Sequence, residues 1–174
     1  MDSPTEQKLT DGVIYLQPLS AEDAAEHLAG EDEEMAKWLS GGRSTLANVQ
    51  DYIASNQENW RSNGPRRAFG VFHCATDRLI GSVEVNLARI LGPGEVNVSY
   101  GIFRPWRRQG FAVRALDLMD EYLRTASDVR RMVLRIASAN TASVRVAEKG
   151  GFALLGVFEE PEGLLPRYVR DSKP

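Results

Sequence analysis

Two spacings of apolar residues alternate along the chain, and each indicates one type of secondary structure. Apolar residues three or four positions apart are typical of a helix with one buried face, whereas alternation at every second residue is typical of a half-buried strand. Four helices are predicted: from Ser20, over about 45–61, over about 110–126, and from Asn140 to the glycines at 150–151. Seven strands are predicted, at about 13–16, 68–74, 79–87, 95–103, 132–136, 152–158 and 164–169.

The order of these elements predicts an α+β fold (mixed α/β). Turns at 75–78 and 92–94 join neighbouring strands into hairpins, which pair antiparallel. Two later helices each lie between strands, which allows parallel pairing. We therefore expect a mixed sheet covered by helices on both faces. Residues 1–11 are expected to form a flexible N-terminal tail, and residues 12–174 a single domain.

Length and composition exclude several kinds of site. The chain has 174 residues, with hydrophobic and charged fractions of 43% and 26% that suit one globular domain. The single cysteine, Cys74, and two distant histidines exclude an intrachain disulfide and a zinc site of the usual spacing, so no metal is expected. No apolar run reaches the roughly 18–20 residues of a membrane span, and the N-terminus lacks a signal-peptide pattern. We therefore expect a cytoplasmic protein.

The net charge of −3 conceals two segments of opposite sign. Residues 1–60 carry 12 acidic and 3 basic side chains, a balance of −9, whereas residues 61–174 carry 12 acidic and 18 basic ones, a balance of +6. Either the two segments bind partners of opposite charge, or solvated helix faces differ in composition. The 17 arginines are scattered over several elements, which argues against a nucleic-acid partner.

An arginine-rich loop before the third predicted helix is the strongest candidate for a binding site. Arg104, Arg107 and Arg108 precede Gly110, which lies between a predicted strand and a predicted helix. The free N–H groups of a helix start, the helix dipole and nearby guanidinium groups together favour a phosphate. Glycine also permits close approach of the backbone to a ligand. The alternative is a surface turn with solvated arginines.

The two strands before this loop carry a polar face. The polar residues at alternate positions of these strands are Ser82, Glu84, Asn86, Glu95, Asn97 and Ser99. Because the strands are hairpin partners, their polar faces should coincide. Polar residues within a covered sheet indicate either a water-filled substrate cleft or a face that is simply solvated.

Three segments together resemble the GNAT acetyltransferase superfamily. The segment 107–112, Arg-Arg-Gln-Gly-Phe-Ala, matches the Gln/Arg-x-x-Gly-x-Gly/Ala loop of that superfamily. The segment 140–152 is similar to its Asn-x-x-Ser…Glu-Lys-x-Gly-Phe signature, and the segment 98–103 to the bulged strand that pairs with pantetheine. The resemblance covers about residues 12–160 and is nearest to the branch of the ribosomal-protein N-terminal acetyltransferases.

The resemblance implies a fold, a cosubstrate and a set of contacts. The implied sheet has six to seven mostly antiparallel strands and is splayed between the fourth and fifth. The implied cosubstrate is acetyl-CoA, with its pyrophosphate on the arginine loop and its pantetheine arm on the splayed strand. The residues implied to bind it are Ile102, Phe103, Arg107, Arg108, Gln109, Gly110, Phe111, Ala112 and Asn140.

The resemblance also implies that an amine attacks the thioester directly, without a protein nucleophile. Cys74, on an apolar strand, is accordingly expected to be a core residue. The amine must lose a proton and the CoA thiolate must gain one. Glu84, the central carboxylate of the polar strand face, is the candidate base. Ser143, which matches a serine of the N-terminal acetyltransferase branch, is the candidate proton donor, because Ala147 stands where many members carry a tyrosine.

We therefore expect an acetyl-CoA-dependent N-acetyltransferase that acts on a primary amine of a small molecule or peptide. The alternative is a non-catalytic acyl-CoA sensor or interaction module on the same fold. The acidic residues early in the chain fall where the acceptor usually enters in this family, so Glu31, Glu34 and Trp38 are expected to bind a cationic acceptor. No membrane partner is expected, and family habit suggests a homodimer.

Overall fold

In the computed structural model, which describes residues 8–88, 91–125 and 128–172, the chain forms eight strands and five helices. The strands are β1 (Leu9–Thr10), β2 (Ile14–Gln17), β3 (Arg66–His73), β4 (Arg78–Asn86), β5 (Glu95–Ile102), β6 (Arg131–Arg135), β7 (Ala153–Glu160) and β8 (Gly163–Asp171). The helices are α1 (Ala24–Gly30), α2 (Glu33–Met35), α3 (Leu46–Arg61), α4 (Phe111–Leu123) and α5 (Thr141–Lys149).

All eight strands belong to one sheet, in the order β1-β2-β3-β4-β5-β6-β8-β7. Every neighbouring pair is antiparallel except β5 and β6, which are parallel because α4 carries the chain back across the sheet between them. The predicted mixed, mostly antiparallel sheet is confirmed. The predicted strands and the four longer helices lie within a few residues of the observed ones.

The predicted strand number is one too low, because β1 was expected to be part of the flexible tail. Leu9 and Thr10 pair with Leu16 and Tyr15 of β2, so the expected tail is wrong for these two residues. Two residues are too few to produce a recognisable alternation of apolar and polar positions. Residues 1–7 lie outside the described residues.

The sheet is splayed between β5 and β6. Their registered pairs begin at Glu95 with Arg131 and end at Asn97 with Val133. Beyond that point β5 continues to Ile102 and keeps pairing with β4 on its other side. A gap therefore opens beside the second half of β5, at the place that the resemblance implied.

Helices cover the sheet on both faces. The larger core packs α4 and α5 against one face, with Leu116, Met119 and Ala147 fully buried. The smaller core packs the helices of the first third of the chain against the other face, through residues such as Val49 and Ile53. The sheet thus separates a side bounded by α3 from a side bounded by α4 and α5.

One expected core residue is not buried. Cys74 follows β3 and is exposed, with its sulfur 3.7 Å from the Thr10 hydroxyl. The run of buried residues in β3 ends at Phe72, and His73 is half-buried where the chain enters the turn to β4. The prediction that Cys74 packs in the core is therefore wrong.

Candidate active site

The N-terminus of α4 is open and is capped by no side chain. Gly110 occupies the N-cap position with a left-handed φ of 84°. A Cβ atom built on Gly110 would meet no described heavy atom within 4 Å, so free space lies in front of it. The first-turn N–H groups of a helix need acceptors, and this helix presents them to that space. The geometry fits a phosphate group on the loop.

The three residues before Gly110 differ in their surroundings. Arg108 and Gln109 are exposed, and Arg108 has a left-handed φ of 63°, which is uncommon outside glycine. Gln109 donates through Nε2 to the Pro105 carbonyl at 3.2 Å. Arg108 is therefore better placed than Arg107 to meet a ligand, and its strained backbone is typical of functional loops.

Arg107 instead contacts the protein. Its two terminal nitrogens donate to the two carboxylate oxygens of Asp32, at 2.8 Å each, and its Nε donates to the Ile102 carbonyl at 2.7 Å. These hydrogen bonds hold the pKa of Asp32 below its usual range. The Arg107 side chain is thus held by the protein, and its binding of a phosphate stays a prediction.

Backbone groups of β5 face the gap beside β6. The Phe103 N–H points the other way and donates to the Ile80 carbonyl of β4 at 2.8 Å. Backbone groups of successive strand residues alternate in direction, so those of Ile102 and Tyr100 point into the gap. The Ile102 carbonyl is the one that accepts from Arg107. The Phe103 N–H is therefore already used within the sheet, and the binding of the cosubstrate by Phe103 stays a prediction.

Glu84 lies on the α3 side of the sheet. Its Oε2 accepts a hydrogen bond from the Tyr52 hydroxyl of α3 at 3.3 Å. Burial raises the pKa of Glu84, while the positive charge of Arg66 and the Tyr52 hydrogen bond act in the opposite direction. A carboxylate with a raised pKa is better suited to accept a proton near neutral pH. The predicted base thus has an environment that favours the role.

Asn140 and Ser143 lie on the opposite side of β5. Asn140 caps α5, with its side chain accepting from the Ser143 N–H at 3.2 Å. The Tyr100 hydroxyl donates to the Ser143 carbonyl at 3.4 Å, and burial raises the pKa of Tyr100 to about 12. The structure therefore places the two predicted proton-transfer residues, Glu84 and Ser143, on opposite sides of the strand beside the gap.

The predicted acceptor residues lie between α1 and α3. Glu31 is half-buried, and its Oε1 accepts from the Ser44 N–H at 2.8 Å. Glu34 accepts from the Trp38 indole N–H at 3.0 Å on the surface. These side chains thus hold local contacts, and the binding of a cationic acceptor by them stays a prediction.

Two tyrosines were not singled out by the sequence. Tyr52 looked like a core position of a helix, and Tyr100 like one apolar position among several on β5. Their partners, Glu84 and Ser143, lie 32 and 43 residues away along the chain. Only the fold brings these residues together.

In the described part of the chain, no helix is long and apolar enough to cross a membrane, and no cluster of His, Cys, Asp or Glu could hold a metal ion.

A family model described as the acetyltransferase (GNAT) domain matches residues 14–153, which is more than half of the chain. The chain belongs to the GNAT acetyltransferase family. Membership of this family makes the protein an acetyltransferase. The gap beside β5 and the open start of α4 lie at the positions that the GNAT motifs implied.

Individual relatives agree with the GNAT assignment. The chain is 28% identical over 152 residues to YjcK of Bacillus subtilis (strain 168), described as a probable N-acetyltransferase, and the match covers 83% of this chain and 82% of that protein. The ribosomal-protein-S5-alanine acetyltransferase of Vibrio fischeri has a similar structure, with a TM-score of 0.78, 16% identity and coverage of 97% and 100%. AAC(6')-Ib, solved with paromomycin and acetyl-CoA, gives a TM-score of 0.76 at 18% identity, covering 91% and 93%. At 16% and 18% identity, the likeness to these two solved structures shows the shared fold alone.

Proposed function

We propose that this GNAT protein transfers an acetyl group from acetyl-CoA to a primary amine by direct attack in a ternary complex. The observation that carries the proposal is the uncapped start of α4 at Gly110, with free space before it and the gap of β5 beside it. The first feature suits a pyrophosphate and the second an extended pantetheine arm. Similar structures that contain acetyl-CoA support the choice of cosubstrate.

Three parts of the chain would contact the cosubstrate: the start of α4 with its loop, strand β5 and Asn140. The first-turn N–H groups of α4 and the exposed Arg108 would hold the pyrophosphate. Backbone groups of Tyr100 and Ile102 that point into the gap would pair with the pantetheine amides. The Asn140 side chain uses its oxygen in the α5 cap, which leaves its amide nitrogen to donate to the same arm.

The two residues proposed for proton transfer, Glu84 and Ser143, would act from opposite sides of β5. When bound, acetyl-CoA supplies a thioester carbonyl carbon that an amine can attack. The new C–N bond forms as the C–S bond breaks, Glu84 takes a proton from the amine, and Ser143 gives one to the sulfur. Glu84 lies on the α3 side and Ser143 on the α5 side, so the amine and the CoA sulfur would reach the acetyl carbon from opposite sides.

The acceptor is proposed to be a cationic primary amine of a small molecule or peptide. The support is the excess of acidic residues before position 60 and the exposed carboxylate of Glu34 near Trp38. Amine acceptors also fit the names of similar proteins, which include ribosomal-protein acetyltransferases and an aminoglycoside acetyltransferase.

Calorimetry with acetyl-CoA tests the proposed binding site. Gly110→Glu places charge and bulk where the pyrophosphate would lie and is expected to abolish binding. The matched control is Gly12→Glu, because Gly12 has a similar φ of 86° and open surroundings but lies in the turn before β2. Absence of binding to the unchanged protein at near-millimolar acetyl-CoA would overturn the proposal.

Turnover is the second arm of the test. Release of CoA in the presence of a panel of amines, dependent on both the amine and Glu84, is expected for a transferase. Binding of acetyl-CoA without release of CoA for any amine would instead favour the non-catalytic sensor.

A further inference from the structure

Tyr52 of α3 is one of the two tyrosines of this site that the motifs do not single out. Its hydroxyl lies 3.3 Å from Oε2 of Glu84, which faces it from β4. The helix otherwise faces the sheet with apolar residues such as Val49 and Ile53, which are almost fully buried. A hydroxyl among these residues needs a reason, because burial of a polar group is unfavourable without a good partner.

The hydrogen bond between Tyr52 and Glu84 has a definite direction. Burial and the nearby Glu84 charge raise the pKa of Tyr52 well above its usual range. The phenol therefore stays neutral at working pH, and toward a carboxylate it can only donate. Among the described residues this is the one side-chain hydrogen bond to Glu84, so Oε1 remains available for the proton of an amine.

Two buried polar side chains, Asn56 and His27, border Tyr52. Asn56 follows it by one helical turn, is 5% exposed, and its side chain interacts with the Tyr52 hydroxyl in a way that lowers the pKa of Tyr52. His27 of α1 is 8% exposed, its ring centre lies 5.9 Å from that of Tyr52, and its Nδ1 has no hydrogen-bond partner among the described residues. The half-buried Tyr52 and two buried polar side chains, from two helices, thus meet behind one carboxylate, where a purely structural core would use apolar side chains.

We propose that Tyr52 is a positioning residue for acetyl transfer, which holds one carboxylate oxygen of Glu84 so that the other faces the acceptor amine. Asn56 and His27 border Tyr52 and limit its movement. The inference rests on the proposed role of Glu84 as the base.

The proposal has a consequence for pH dependence. The groups that act on Glu84 are Tyr52 from α3 and the charged Arg66 from β3, and His27 borders Tyr52 from α1. The Tyr52 hydrogen bond stabilises the ionised carboxylate and lowers the pKa of Glu84. Its removal should raise that pKa, so a larger fraction of Glu84 would be protonated at a given pH and the acidic limb of activity would move to higher pH.

Steady-state kinetics of Tyr52→Phe across pH test this role. We expect kcat to fall about tenfold, as for loss of one hydrogen bond to a charged group, with the acidic limb at higher pH and the KM for acetyl-CoA unchanged. The matched control is Tyr122→Phe, which removes a buried phenol from the opposite core and should leave the limb in place. An unchanged limb and unchanged kcat in Tyr52→Phe would overturn the proposal.

A direct titration separates this inference from the proposed function. The ¹³C shift of the Glu84 carboxyl carbon, followed against pH, should report a higher pKa in Tyr52→Phe than in the unchanged protein, whether or not an acceptor is known. If Glu84→Gln retained full activity, the base itself would be wrong and the inference would fall with it. If Glu84→Gln is inactive but the carboxyl titrates identically with and without the Tyr52 hydroxyl, the inference alone fails.

Discussion

Arg107 and Asp32 are joined by two hydrogen bonds of 2.8 Å, although they lie 75 residues apart in the chain. The guanidinium and the carboxylate are 30% and 22% exposed, so the pair is partly shielded from water. Asp32 also caps α2 by accepting from the Met35 N–H. One ion pair therefore connects the loop before α4 with the acidic segment of the first third of the chain.

Loss of either partner should destabilise the fold more than loss of a surface charge. We expect Arg107→Ala and Asp32→Asn each to lower the free energy of unfolding at neutral pH by about 1.5–3 kcal/mol, the range for a hydrogen bond to a charged group. Urea unfolding of the two variants and of the double variant measures the coupling. Effects that simply add would contradict a direct interaction.

The same pair should make stability depend on pH in the acid range. Arg107 lowers the folded-state pKa of Asp32 from its ordinary 3.8, so its contribution is fully present above that value. It is lost as pH falls through the lowered folded value. Unfolding measured between neutral pH and about pH 2 should show a smaller loss in Asp32→Asn than in the unchanged protein, and an equal loss would contradict the prediction.

Two substitutions at Asn140 should separate its structural role from its role in binding. Asn140→Ala removes the cap of α5 and should cost about 0.5–2 kcal/mol of stability. Asn140→Asp keeps an oxygen for the Ser143 N–H and places a negative charge at the helix start, which is favourable. It should fold as stably as the unchanged protein but bind acetyl-CoA more weakly, as measured by calorimetry, because the amide donor is gone. Unchanged affinity would remove Asn140 from the binding site.

Ser143→Ala tests the proposed proton donor. We expect kcat to fall by about a hundredfold, the lower end for general acid catalysis, with the KM for acetyl-CoA unchanged. Tyr100→Phe is the comparison, because the Tyr100 hydroxyl donates to the Ser143 carbonyl. A larger loss in Tyr100→Phe than in Ser143→Ala would transfer the role to the tyrosine.

Neutralising the acidic surface should reveal the charge of the acceptor. Glu31→Gln together with Glu34→Gln is expected to raise the KM of a cationic amine at low salt, while kcat stays the same. The effect should shrink at about 0.5 M salt because exposed charges are screened. The control is Glu121→Gln, an exposed carboxylate on α4. Equal KM values in all three proteins would argue against a cationic acceptor.

The sequence predicts the scaffold well, because the signals involved are local. Thr45 and Asn48 form the reciprocal cap that begins α3, and the αL turn at Gly110 begins α4 close to the predicted position. What it misses depends on distance along the chain. No local pattern reveals that Arg107 donates to Asp32 or that Tyr52 donates to Glu84. Those hydrogen bonds form only when the folded sheet brings α2 and α3 close to their partners. The direction of the Phe103 N–H likewise depends on the β4–β5 register.

The gap between β5 and β6 reduces the number of backbone hydrogen bonds that hold the sheet together. Among the described residues, three registered pairs between β5 and β6 join the first five strands of the sheet to the other three. A closed ladder along the rest of β5 would add further backbone hydrogen bonds, each worth about 0.5–1.5 kcal/mol. Without those hydrogen bonds, the sheet consists of two parts that are joined by the short pairing of β5 with β6. An extended molecule bound in the gap would take the place of a strand, connect the two parts and make the sheet more rigid.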